Sequence, residues 1–457
     1  MSDASNINVA AALGHARALA ARAEDEAAKQ AYLELLRLDS THFEALNELG
    51  TLALDGGFRS AARSAYLRAV QYHPGNKIGH VNLANLLRED DDLAAAKLHY
   101  EMALAIDPQF PEAHQGMAWV LNQLGQQQDA EAHWHRGYSG HALVGRPYRG
   151  TGAGIPVLQL VSARGGNIPT RLWLNDRQFA VNTILAEFYE PDLALPPHAL
   201  LVNAIGDADL SAAALDRAED IVARSTAPVI NQPARVRLTA RIANAQRLAD
   251  IEGVIAPSIR ALSRAQLLSA ADLRYPLLLR RAGFHNGKHF VYVRRREELA
   301  AAVASLEGDP LLVIGYLDAR GADGLVRKYR VMFVDGVVYP LHLAISADWK
   351  VHYATSLMAH DPAYRDEERR FLENMPYVLG ARAMAALERI CARLGIEYAG
   401  IDFALAADGS LLMFEANATM IVIPPPLEAM WDYRREAVSR VLEAASAMLL
   451  RRARIRA

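Results

Sequence analysis

The chain has one cysteine, Cys391, in 457 residues. A lone thiol excludes an internal disulfide framework and any metal centre built from several thiolates, and on its amphipathic stretch Cys391 reads as core packing. Charge of one sign is lacking too. With 49 basic residues against 52 acidic ones there is no basic field for a nucleic acid, and none is expected as a partner. No run of about eighteen apolar residues occurs, so no membrane span is expected. The N-terminus is polar and lacks the apolar segment of a secretory leader, which makes the cytoplasm the expected location. A Walker A loop is also missing, because only three residues separate Gly283 from Gly287-Lys288 and no Ser or Thr follows.

What is present first is a period. Ala28, Ala62, Ala96 and Ala130 recur at a spacing of 34, as do Tyr32, Tyr66, Tyr100 and Trp134, and Pro74 with Pro108, while Gly50 aligns with Ala84 and Ala118. Small, aromatic and helix-ending positions at this interval resemble tetratricopeptide repeats, whose helix pairs stack into a solenoid. Four pairs are expected from about residue 9 to 144, in an all-α domain over residues 1–146. The resemblance implies a peptide or protein partner on the concave face. A helical array without a binding role is the alternative.

A glycine-rich stretch from Gly145 to Gly154 then separates two kinds of sequence. Ile155 to Ser162 and His198 to Ile205 read as buried strands and Ser211 to Arg224 as a helix, an alternation that predicts a small α/β domain with a parallel sheet over residues 147–235. Gly150, Gly152 and Gly154 precede the first strand rather than follow one, so they form a linker and not a dinucleotide turn.

Two Asp-Gly dipeptides between apolar runs predict hairpins with two-residue turns. Asp408-Gly409 pairs Ala407 with Ser410. Counting back sets Phe403 against Phe414 and Leu405 against Leu412 on one face, and Asp402 against Glu415, with Asn417, on the other. Carboxylates opposed at about 5 Å repel unless a cation bridges them, and three hard oxygen ligands suit Mg²⁺. Asp335-Gly336 likewise pairs Val334 with Val337. Lys328, Arg330 and Met332 then share a face, with the cross-strand pair Tyr329 and His342 on the opposite one. Upstream, strands from Tyr275 to Arg280 and from Phe290 to Val293 flank the turn-rich loop Gly283 to His289, the form of a phosphate-cradling hairpin. The basic end, Arg451 to Arg456, reads as a solvated helix terminus.

Gly400-Ile401-Asp402-Phe403 followed by Met413-Phe414-Glu415-Ala416-Asn417 resembles the metal-binding end of the ATP-grasp ligases, in particular those similar to glutathione synthetase and the ribosomal-protein glutamate ligase. The resemblance implies an ATP-grasp fold, α+β, over residues 236–457. It implies two Mg²⁺ ions held by Asp402, Glu415 and Asn417 against the phosphates of ATP. It places Arg280, where the family has Lys, and the loop residues Asn286, Gly287 and Lys288 on phosphate, with Lys328 beside the nucleotide. His289 stands where a third glycine is common. The segment Pro310 to Asp318 resembles the strand that meets adenine, with Tyr316 and Leu317 nearest the base. Arg330 falls on phosphate and the reacting carboxylate, and Lys350 and His352 fall near the substrate. The implied activity is ATP-dependent joining of a carboxylate to an amine through an acyl phosphate, with a small amine or amino acid as co-substrate and a peptide or protein held by the repeats. A kinase using the same metals on a hydroxyl, and a nucleotide-binding scaffold without turnover, are the alternatives.

Overall fold

The computed structural model describes residues 2–22, 24–281, 290–351, 353 and 356–454. The chain divides into two compact units, residues 1–153 with 188–190, and residues 154–187 with 191–457.

The first unit holds eight helices among the described residues: α1 (Ser2–Ala21), α2 (Asp25–Leu38), α3 (Phe43–Asp55), α4 (Arg59–Tyr72), α5 (Lys77–Glu89), α6 (Leu93–Ile106), α7 (Pro111–Gln123) and α8 (Gln127–Tyr138), followed by the short strand β1 (Leu143–Gly145). Each helix packs on its sequence neighbours. The period has a packing cause. All four repeated alanines are fully buried and the four repeated aromatics nearly so, and the Tyr66 and Tyr100 rings fill gaps that a glycine on a neighbouring helix leaves open. A Cβ at Gly50 would stand 2.6 Å from the Tyr66 ring, and one at Gly116 only 2.1 Å from that of Tyr100. Asn76 and Asp92 cap α5 and α6 by accepting backbone N–H groups, and Pro111 opens α7.

The second unit begins with the strands β2 (Ile155–Val161), β3 (Phe179–Leu185), β4 (Leu200–Asn203) and β5 (Val229–Ile230), which run parallel in the order β3-β2-β4-β5, and the helix α9 (Ala212–Ala223). Of these strands, β3 and β5 have no counterpart in the sequence reading. Next come α10 (Pro233–Arg237) and α11 (Arg241–Leu248).

Two sheets follow, antiparallel except that β6 (Val254–Ile255) joins β14 (Leu411–Asn417) in parallel. In one, β7 (Ile259–Leu262), β8 (Leu277–Arg281), β9 (Phe290–Val293) and β10 (Leu311–Gly315) lie in the order β7-β10-β8-β9. Alternation sorts their side chains: Leu277, Leu279, Leu311 and Val313 pack on α12 (Arg264–Ser269) and α13 (Leu299–Ser305), which turns Leu278, Arg280 and Ile314 the other way. In the second sheet, β6 (Val254–Ile255), β11 (Val326–Val334), β12 (Val337–Ser346), β13 (Tyr398–Leu405) and β14 (Leu411–Asn417) lie in the order β12-β11-β13-β14-β6. Helices α14 (Pro362–Glu373), α15 (Met375–Leu394) and α16 (Arg435–Arg454) pack on β12. The edge of β12 is covered: Glu368 of α14, wholly buried, accepts the Leu343 N–H at 3.1 Å. Cys391 is buried in α15. No helix among the described residues is long and apolar enough to cross a membrane.

Both hairpins depart from a plain count of two. At Asp335-Gly336 both φ angles are positive, 50° and 83°, the expected two-residue turn. Arg451 and Arg452 each donate to the Asp335 carboxylate at 2.8 Å, so this part of the basic end, though Arg451 is exposed, also ties α16 to the turn. Beyond the turn a bulge between Arg330 and Val331 shifts the register by one, setting His342 against Arg330 and Tyr329 against Leu343. The expected Tyr329–His342 pair is therefore not made, and His342 shares the face of Arg330. At Asp408-Gly409 only Gly409 takes a positive φ, 78°. Ala406 N–H donates to Ser410 O at 2.8 Å, so the loop holds three residues and not two. Phe403 faces Met413 and Leu405 faces Leu411, contrary to the count, until a bulge beside Asp402 restores Asp402 against Glu415. The two shifts cancel at the acidic pair and leave Phe414 as the unpaired residue.

Candidate functional site in the second unit

A cleft of about 380 Å³ lies between the two largely antiparallel sheets. Leu278, Arg280, Phe290, Ile314 and Gly315 line it from one sheet, and Val326, Lys328, Arg330, Asp402, Glu415 and Asn417 from the other. The chain leaving β10 adds Tyr316 and Leu317, and the loop after β12 adds Trp349 and Lys350. All nine candidates that fall on described residues thus line one cavity: Arg280, Tyr316, Leu317, Lys328, Arg330, Lys350, Asp402, Glu415 and Asn417. Asn286, Gly287, Lys288, His289 and His352 lie outside the described residues.

Its charged groups are ordered. Arg330 grips Asp402 with two bonds, Nε to Oδ1 at 2.6 Å and an η nitrogen to Oδ2 at 2.8 Å, and Lys328 Nζ stands 3.1 Å from Oδ2. Burial alone would raise the Asp402 carboxyl; the Arg330 and Lys328 charges outweigh it and hold the group well below the ordinary carboxylate range. Glu415 accepts from Arg241 at 2.6 Å and from the Asn417 amide at 2.8 Å, and Asn417 Oδ1 in turn accepts from the Thr419 N–H and hydroxyl. Arg280 lies over the Phe290 ring, 5.3 Å from its centroid. Burial first, and the neighbouring Arg241 second, lower its guanidinium to about 10, which leaves it charged at neutral pH. Five cationic and two anionic side chains line the cavity, a bias that favours a polyanion.

The remaining wall is aromatic, with Phe290, Tyr316 and Trp349 lining the cavity and Tyr292 packed behind them. Phe290 meets Trp349 edge-on at 5.3 Å, and Tyr292 contacts Tyr316 at 4.8 Å and Trp349 at 5.4 Å. Such a wall accepts a planar ring. His342, opposite Arg330, does not line the cavity. It is buried with Nδ1 unpartnered among the described residues, and burial, with Arg330 next, holds its ring well below the usual histidine range, so it stays neutral.

The expectation that a metal alone reconciles Asp402 with Glu415 needs amending, because each carboxylate already has a cation from the chain. The donors still fit Mg²⁺. Among the described residues no three His, Cys, Asp or Glu side chains cluster as a metal site, but two carboxylates and an amide are hard oxygen donors of the number that Mg²⁺ takes beside substrate phosphates. Arg241, Phe290, Trp349 and Phe414 are lining residues that the sequence reading did not single out. Phe414 escaped it because the bulge exposes a residue counted as facing Phe403.

A family model for the tetratricopeptide repeat matches residues 99–132. No curated protein matches. Among solved structures, MamA 41-end from Desulfovibrio magneticus RS-1 is similar at 19% identity over 27% of this chain and 71% of that one, with a TM-score of 0.26. PilF from Pseudomonas aeruginosa is similar at 21% identity over 28% of this chain and 59% of that one, with a TM-score of 0.27. The N-terminal region of this chain is a tetratricopeptide-repeat region, of the kind that engages protein partners, followed by mixed sheets with helices.

Proposed function

We propose that the second unit is an ATP-dependent carboxylate–amine ligase. One observation carries the reading: opposed Asp402 and Glu415, with Asn417, share a single cavity with five cationic side chains and an aromatic wall. A triphosphate, its cation and a flat base all find complementary groups there.

Asp402, Glu415 and Asn417 would hold Mg²⁺, which would neutralise phosphate charge there. Arg280, steadied against Phe290, presents a planar fork to phosphate oxygens. Arg330, oriented by its bonds to Asp402, faces the acyl oxygens and the transferring phosphoryl group, where fixed charge is worth most. Lys328 and Lys350 add point charges, while Tyr316 and Leu317 face the base. A substrate carboxylate oxygen attacks the γ-phosphorus and ADP leaves. The amine nitrogen then attacks the acyl carbon, the bond to phosphate breaks, and the proton lost by the amine goes to phosphate or water. The repeats support a peptide or protein as the carboxylate partner.

The test is the product balance. With Mg²⁺, ATP and co-purified peptides, ADP and free phosphate should accumulate only when an amine or amino acid is supplied, with a matching gain of peptide mass by mass spectrometry. Phosphate retained on the product, without need of an amine, would replace this reading with a kinase. Binding of a peptide without any ATP turnover would leave a scaffold.

A further inference from the structure

The acidic pair is neutralised in two different ways. Asp402 is held within its own sheet, by Arg330 and Lys328 of the adjacent strand. Glu415 is held from outside it, by Arg241, the first residue of α11, at 2.6 Å. The backbone of Arg241 is anchored independently, since its N–H donates to Asp209 at 3.0 Å. The position of its Cα therefore does not depend on the bond to Glu415, and its side chain forms part of the cavity wall. Arg241 also crowds Arg280, being the largest influence after burial that makes the latter easier to deprotonate. An anion placed between two crowded guanidinium groups attracts both, whereas a cation arriving alone at Glu415 must expel one.

We propose that Arg241 is a place-holding cation: without nucleotide its guanidinium occupies the position on Glu415 that a divalent cation takes, and nucleotide phosphates draw it away. The inference rests on the assignment of Glu415 to the cation made above. Nucleotide and cation then reinforce each other's binding, reciprocally, and the chain takes up little Mg²⁺ by itself. This ordering protects the empty site from a bare metal ion.

Titration calorimetry of the full chain tests it with two probes kept apart, MgCl₂ alone and ATP in excess EDTA. Arg241→Gln should bind Mg²⁺ alone about tenfold more tightly than the parent chain, and metal-free ATP about tenfold more weakly, within the usual range of such couplings. Adding Glu415→Ala should abolish the gain in Mg²⁺ affinity. If Arg241→Gln leaves the affinity for Mg²⁺ alone unchanged, or if the gain survives without Glu415, the place-holding role is wrong. Should the Gln variant fail to melt cooperatively, Arg241→Met keeps the aliphatic stem and serves for the same comparison. Failure of the parent chain to bind ATP with Mg²⁺ present is a separate result, and it would overturn the nucleotide assignment rather than the role of Arg241.

Discussion

Arg330 and Asp402 form a two-bond ion pair in which the carboxylate side chain is only 7% exposed. Desolvating such a pair costs about what the attraction returns, so stability is a poor reason for its presence, but removing one partner strands a buried charge at a cost of roughly 3–5 kcal/mol. Lys328 remains beside Asp402, so Arg330→Ala should lower stability in a denaturant titration by somewhat less, about 2 kcal/mol, and turnover about a hundredfold. Adding Asp402→Asn should recover most of the stability and none of the rate. A double-mutant cycle with no coupling in stability would show the pair to be idle. The ion pair gives Arg330 a structural part beside the chemical one proposed for it, where the sequence reading assigned it only chemistry. The sign with pH follows from the depressed carboxyl: its contribution is fully present above the unfolded carboxylate value of about 3.9 and is lost as pH falls below it.

At the scale of elements, what was legible and what was not divides along one line. Periodicity and turn chemistry announce themselves locally: the 34-residue spacing, the Asp335-Gly336 turn, the strands around Arg280. A bulge does not, because one unpaired residue is set by what packs on either side of the strand. Hence Tyr329 was counted against His342, and Phe403 against Phe414, while the acidic pair came out correctly only because the three-residue loop and the bulge cancel. Within the repeats, His80 and His114 each donate Nε2–H to a turn carbonyl, of Pro74 and Pro108, and meet His99 and His133 through Nδ1 at 3.1 and 2.9 Å. Such a contact needs one donor and one acceptor, so Nδ1 of His80 and His114, whose Nε2–H is already engaged, accepts from His99 and His133. Burial, then the partner ring, lowers His99, and the same causes lower His133 to about 4. A histidine lowered in the fold stabilises it above the unfolded value of about 6.5, and that contribution fades as pH falls towards 4. Amide protection in α7 and α8 should therefore drop across this window, and His133→Gln should flatten the drop; an unchanged profile in the variant would assign the drop to other groups. Gly116→Ala improves helix propensity by about 1 kcal/mol, yet the Tyr100 ring leaves its Cβ no room, so the net effect should be a loss of about 1–3 kcal/mol in denaturant titration.

For the whole molecule, every residue that lines the cavity lies beyond the division at residue 153, outside the tetratricopeptide-repeat region. A chain beginning at Gly154 should therefore bind ATP with Mg²⁺ as the full chain does, yet modify a peptide or protein acceptor far less efficiently; equal efficiency would mean that the repeats serve another partner. The central claim, that the cavity between the two largely antiparallel sheets holds ATP with Mg²⁺, is tested most directly by titrating ATP into the full chain in the presence of Mg²⁺, beside the Glu415→Ala variant. The account predicts saturable binding by the parent chain and loss of its metal-dependent part in the variant, with the melting of the fold unaltered. Binding of equal strength in both, or in neither, would contradict it.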